Sequence, residues 1–233
     1  MNQSRNSGRV AGFWYLLLVL LGPLRLIYIP SKLFVRADPT ATVFNIVHHE
    51  TLFRLGMVDD LMAALTLIFL VMALYRLFEA VDRNLAVLVV ILGGIMPALL
   101  YFVNVATDAA ALMMAEGGGW ISAFSSPQQN ELVMLLLRFH DFQNTAAETL
   151  WGAWLFPLAI LVYRSRFLPR FLGIWLAFNG LAYVILSMTG LLAPQYQGKL
   201  FTLFQPALFA EVALMLWLAI KGGAPLQNQH ASN

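Results

Sequence analysis

The chain has 233 residues, of which 60% are hydrophobic and only 11% charged, and its formal net charge is +2. A soluble domain carries about 25% charged residues, so the composition points to lipid as the solvent, and the small net charge excludes a nucleic-acid surface. The sequence has no cysteine, which excludes disulfides, thiolate metal sites and cysteine nucleophiles.

Residues 1–8 are short and polar and are expected to be disordered. Arg5 and Arg9 precede an apolar run in the manner of a secretion signal, but no small-residue cleavage site appears before "GPLRLIYIP". The run therefore reads as a retained first span, Val10–Ile29, long enough to cross about 30 Å of hydrocarbon. In the following connection, Pro30–Glu50, Asp38 stands before Pro39, a helix-start signature. It predicts a short amphipathic helix at the outer surface.

The second span is expected over Leu52–Tyr75 and the third over Leu85–Met113. An outer connection containing "EGGGW" follows, and Ser126-Pro127 starts the fourth helix, with its span at Leu132–Tyr163. After the arginine-rich turn "YRSRFLPR" come Phe171–Leu192 and Leu200–Ile220. The tail, residues 222–233 with His230, is polar and expected to be disordered. Membrane β-strands would alternate over about ten residues; these runs are continuous. The predicted fold is an all-α bundle of six transmembrane helices formed by residues 9–221.

Orientation follows from lysine and arginine at the span ends. Arg5, Arg9, Arg76, Arg83, Arg164, Arg166, Arg170 and Lys221 fall on one side; Arg25, Lys32, Arg36, Arg54 and Lys199 fall on the other. The majority side is cytoplasmic, so both termini are expected in the cytoplasm.

The stretch "RFHDFQNTAAETLWGAW", residues 138–154, puts ionisable groups inside an otherwise apolar helix. A rise of 1.5 Å per residue from the cytoplasmic ends puts Asp60 and Glu148 about 22 Å up, Asn144, Asp141 and His140 at about 28–35 Å, and Tyr101 and Asn104 at about 27–32 Å. Three helices thus bring polar groups to one level. His140, Asn144 and Glu148 share a stripe, as do Tyr101, Asn104 and Asp108. Arg54 and Arg138 are the cations read into this slab, against Asp59, Asp60, Asp141 and Glu148. An unpaired charge in hydrocarbon costs at least about 2.5–3.5 kcal/mol, so the surplus carboxylates must be protonated, hydrated or bound to a cation. The prediction is an acidic polar cavity in the outer half of the bilayer. Glu211 is a further embedded acid.

The combination "LFRLGMVDDL", "RFHDFQ" and "VYRSRFLPRFLGIWL" resembles an uncharacterised bacterial family of polytopic membrane proteins, the domain of unknown function 4386. The resemblance covers about residues 8–220. Where the family has Leu-His-Asp-x-Gly, this chain has Phe139-His140-Asp141-Phe142-Gln143, without the glycine. The resemblance implies a multi-pass protein of the bacterial cytoplasmic (inner) membrane and supplies no reaction.

Three functions remain open. The first is binding or transformation of a small amphipathic or lipid-like molecule, with a proton or divalent cation at the carboxylates. In a membrane-embedded hydrolase of this kind, His140 acts as base oriented by Asp141, and Glu148 acts as acid. Arg54, Asp59, Asp60, Tyr101, Asn104, Arg138 and Asn144 line the binding site. His48, His49 and His140, with a carboxylate, form a candidate site for a divalent metal such as zinc. The second is a proton- or cation-coupled transporter, for which six helices are few unless it forms a homodimer. The third is a non-catalytic scaffold that binds membrane lipids. No phosphate-binding glycine loop is present, so direct use of ATP is not expected.

Overall fold

The computed structural model describes residues 2–35 and 37–223; Met1, Arg36 and the tail with His230 lie outside the described residues. The protein is all-α. Six long apolar helices are present: α1 Asn6–Leu33, α3 Glu50–Phe78, α4 Arg83–Glu116, α5 Ser126–Arg164, α6 Arg170–Leu192 and α7 Pro194–Lys221. Each contains its predicted apolar stretch. Helical structure starts upstream of α1, at Asn2, within the stretch read as a disordered lead. A short helix, α2, spans Pro39–His48. Asp38 caps it, its Oδ1 accepting from the Ala41 N–H at 2.9 Å, and Pro39 occupies the first turn, where its missing N–H costs nothing.

The burial pattern is that of a multi-pass membrane protein. Large apolar side chains are exposed on the long helices, among them Phe13, Phe69, Leu99, Leu135, Phe178 and Phe209, while Asp59, Asp60, Asn104, Asp108, His140 and Asn179 are buried. In water this arrangement would be costly; in lipid the apolar face needs no cover and polar groups must turn inward.

Prolines mark the irregular turns. The helical path widens into a π turn at Leu24–Tyr28, ahead of Pro30, and at Ile91–Ile95, ahead of Pro97. In α5 the regular helix breaks at Trp154, ahead of Pro157. Each proline lacks the N–H that would bond four residues back, and its ring crowds that carbonyl, so the preceding turn loosens.

The chain divides into two compact units. The first comprises Met1–Leu18, Thr66–Pro97 and Thr145–Asn233. In it the Leu155–Arg164 part of α5 packs on α6 and on the start of α4, and α7 packs on α6. Leu155, Leu158, Leu161, Leu176 and Leu214 are fully buried there. Close approach depends on glycine: a Cβ on Gly152 would lie 2.5 Å from the Gly180 carbonyl oxygen, and one on Gly180 would lie 2.9 Å from the Gly152 carbonyl oxygen. Because the obstructing atoms are backbone, Gly152→Ala is expected to lower stability by about 1–3 kcal/mol. A detergent melting curve checks it, and an unchanged midpoint would show that α5 and α6 do not approach this closely.

The second unit comprises Val19–Leu65 and Ala98–Asn144. Its core is Ile29, Leu33, Ile46, Phe53, Ala111, Leu112, Val133, Met134 and Leu137. Asn45 Nδ2 donates to the Leu33 carbonyl and Asn130 Nδ2 to Thr40 Oγ1, tying α2 to its neighbours.

Candidate functional site

The second unit holds a buried ionic centre assembled from four helices. Arg25 comes from the π turn of α1, Asp60 from α3, Asp108 from α4 and His140 from α5. All four are at least nine-tenths buried. The Arg25 Nε–H donates to Asp60 Oδ2 at 3.0 Å, and one Nη2–H donates to Asp108 Oδ2. The same Nη2 lies 2.9 Å from His140 Nε2 and 3.1 Å from Nδ1, while His140 Nδ1 lies 3.0 Å from Asp108 Oδ1.

A single nitrogen this close to both ring nitrogens does not select between them, and Asp108 Oδ1 has no hydrogen-bond partner among the described residues. His140 is held between a guanidinium and a carboxylate.

Local sequence explains the fit. Gly56 lies one turn before Asp60 on α3 and leaves room for Ile29, one turn after Arg25 on α1: a Cβ there would be 3.0 Å from Ile29 Cδ1 and in ordinary contact, 3.7 Å, with Arg25 Cδ. Beside the centre, Asn104 Nδ2 donates to Asn144 Oδ1 at 2.9 Å, and Gln143 Nε2 donates to Thr107 Oγ1 at 3.1 Å. A cavity of about 50 Å³ adjoins it, bounded by Arg25, Asp108, His140, Asp141 and Asn144 together with apolar residues. That volume accommodates a few waters or a hydrated ion.

Charge is not balanced. Asp59 is buried next to Asp60, and among the described residues it forms no salt bridge. One guanidinium thus stands among three buried carboxylates. Asp60, Asp108 and His140 bring ligand atoms within 4.8 Å of one another, a set able to hold a proton or a metal ion.

Several expected site residues lie elsewhere. Arg54 and Arg138, read as the cations of the slab, are both exposed; Arg54 pairs with Glu50 and Glu116. The cation in the centre is Arg25, expected from the sequence among the outer flanking charges. A depth count finds it: Arg25 is sixteen residues after Arg9, about 24 Å up, close to the level of Asp60. Asp108 was on the expected face of α4 but outside the expected site. Of the three histidines expected around a metal, only His140 is in the cluster. His48 and His49 are exposed, and the His48 ring stacks on Phe44 with its Nδ1 3.0 Å from the Phe44 carbonyl oxygen. His48 ends α2, and His49 lies just beyond it in a non-helical conformation. Asp141 is exposed at the cavity edge, and Tyr101 is partly buried. Glu148 belongs to the first unit and is partly buried; its Oε2 has no hydrogen-bond partner among the described residues.

The family described as a domain of unknown function, DUF4386, matches residues 10–222, almost the whole chain. The chain belongs to the DUF4386 family. No curated protein and no solved structure matches it. Within this DUF4386 protein, "LFRLGMVDDL" supplies Gly56, Asp59 and Asp60, and "RFHDFQ" supplies His140. Two stretches that carry the resemblance thus converge on the buried centre. The glycine missing from the second falls at Gln143, which here donates to Thr107.

Proposed function

We propose that this DUF4386 protein is a proton-coupled membrane protein in which the Arg25–Asp60–Asp108–His140 centre takes up and releases a proton as a small solute or ion crosses the bilayer. The observation that carries this reading is the excess of buried carboxylate over buried cation. An uncompensated charge in hydrocarbon draws a proton or cation from the nearest water.

The histidine makes the centre responsive. A ring nitrogen of His140 can accept from Arg25 only while it carries no hydrogen. A proton added there turns the acceptor into a donor facing another donor, so the Arg25 contact must open. Two discrete arrangements with different proton content are the minimum that coupling requires.

A divalent metal fits less well. The Nη2 of Arg25 already bonds both Asp108 and His140, and an ion seated on those ligands would have to displace a like charge. An amphipathic ligand or hydrolase substrate needs a pocket of about 300–1,000 Å³, well above the roughly 50 Å³ beside Arg25. The lysine and arginine asymmetry supports both termini in the cytoplasm, which places the centre towards the outer face.

The test is proton uptake into vesicles carrying the purified protein, read with a trapped pH indicator under an imposed gradient. Parent protein should conduct, and Asp108→Asn or His140→Gln should lose most of the signal. Uptake that survives both substitutions in folded protein would remove this reading.

A further inference from the structure

The first unit contains a further embedded acid, partly buried and independent of the Arg25 centre. Glu211 lies on α7. Tyr15 of α1 donates its hydroxyl to Glu211 Oε1, and Asn179 Nδ2 of α6 donates to Oε2 at 3.3 Å. Tyr183 of α6 also hydrogen-bonds to this carboxyl group. Tyr15 is 2% exposed and Asn179 0%. Two tryptophans back these tyrosines: the Trp154 ring is 6.2 Å from Tyr15, and the Trp151 ring meets Tyr183 edge-on at 6.1 Å. Aromatic rings thus stand beside the partly buried carboxyl group.

The groups that face Glu211 from α1 and α6 are therefore two phenols and an amide, all neutral. Among the described residues it forms no salt bridge. A bare carboxylate here would be a net charge in an apolar setting, which hydrogen bonds from neutral donors only partly offset. A second observation points the same way. Asn179 Oδ1 is buried and has no hydrogen-bond donor among the described residues, an acceptor left idle beside an acid. Turned end for end, the same amide offers that oxygen to a protonated Oε2–H, so Asn179 serves either protonation state.

We propose that Glu211 is a second proton-binding site, loaded at neutral pH, with Tyr15 and Asn179 as its positioning residues. Protonation adds one hydrogen to a carboxylate oxygen and breaks no other bond. A sodium ion is disfavoured because hydrogen donors, rather than oxygen ligands, already face both carboxylate oxygens, and a hard cation wants about six oxygens.

The experiment is infrared spectroscopy of the full chain in lipid, in ordinary and heavy water. A carboxylic-acid carbonyl band should be present at neutral pH, disappear in Glu211→Gln and shift in Tyr15→Phe. Added sodium at constant pH should leave it unchanged. A band untouched by Glu211→Gln would overturn the assignment, and a band abolished by sodium would make the site a cation site instead. Should Glu211→Gln not fold, Tyr15→Phe decides: an unshifted band means the acid observed is not Glu211. The Glu148 carboxyl, also in this unit, is separated by the same substitutions. Loss of vesicle uptake in Asp108→Asn leaves this result unaffected, so the two proposals fail separately.

Discussion

Arg25→Gln is expected to destabilise the protein by about 3–5 kcal/mol, the cost of removing one partner from a buried ion pair. The substitution leaves Asp60 and Asp108 facing each other without their shared cation, and it strips His140 of its guanidinium neighbour. Thermal melting in detergent reads the loss. Arg25→Lys should recover only part of it, because one ammonium on a shorter fork cannot reach two carboxylates and an imidazole at once. Adding Asp108→Asn to Arg25→Gln should restore stability, since the second change removes a charge that the first left bare. Such non-additivity is the mark of contacting residues. A loss for Arg25→Gln no larger than a surface substitution, within about 0.5 kcal/mol, would mean that Arg25 is solvated and the centre is not closed.

The second large effect is a gain. With the guanidinium removed, Asp60, Asp108 and His140 still offer three ligand atoms within 4.8 Å of one another, and nothing cationic stands among them. Zinc or manganese is therefore expected to stabilise Arg25→Gln, by about 2.7 kcal/mol when the free ion reaches a hundred times its dissociation constant. The same ion should leave the parent protein unchanged. His140→Ala in the Arg25→Gln background should abolish the rescue. If instead the parent is stabilised as strongly as the variant, Arg25 yields to the ion, the centre is a metal site, and the proton-coupled reading gives way to metal chemistry at the same residues.

Part of this centre was legible beforehand. Asp60, Asn104, Asn144 and His140 fall at one level by counting helical rise, and the structure makes a hydrogen-bonded pair of the two asparagines and buries His140 with Asp60. Charge surplus was legible as well, though through the wrong cations. Arg54 and Arg138 are close in sequence to the acids but project outward, and Arg54 finds its partners in Glu50 and Glu116. Arg25 looks like a flanking charge because "GPLRLIYIP" reads as the end of a span. In the structure a π turn carries the helix onward between Pro23 and Pro30 and places the guanidinium in the interior.

Six long apolar helices and the capped helix at Pro39 were determined by the sequence alone. Hydrophobic continuity, proline position and helical rise are local quantities, additive along a segment. The tertiary structure alone decided that Arg25 meets Asp108, 83 positions away, that Gly56 leaves room for Ile29, and that Tyr15 closes over Glu211, 196 positions away. Which face one helix turns to another depends on interlocking side-chain volumes from remote segments, and no local property of either segment contains that information.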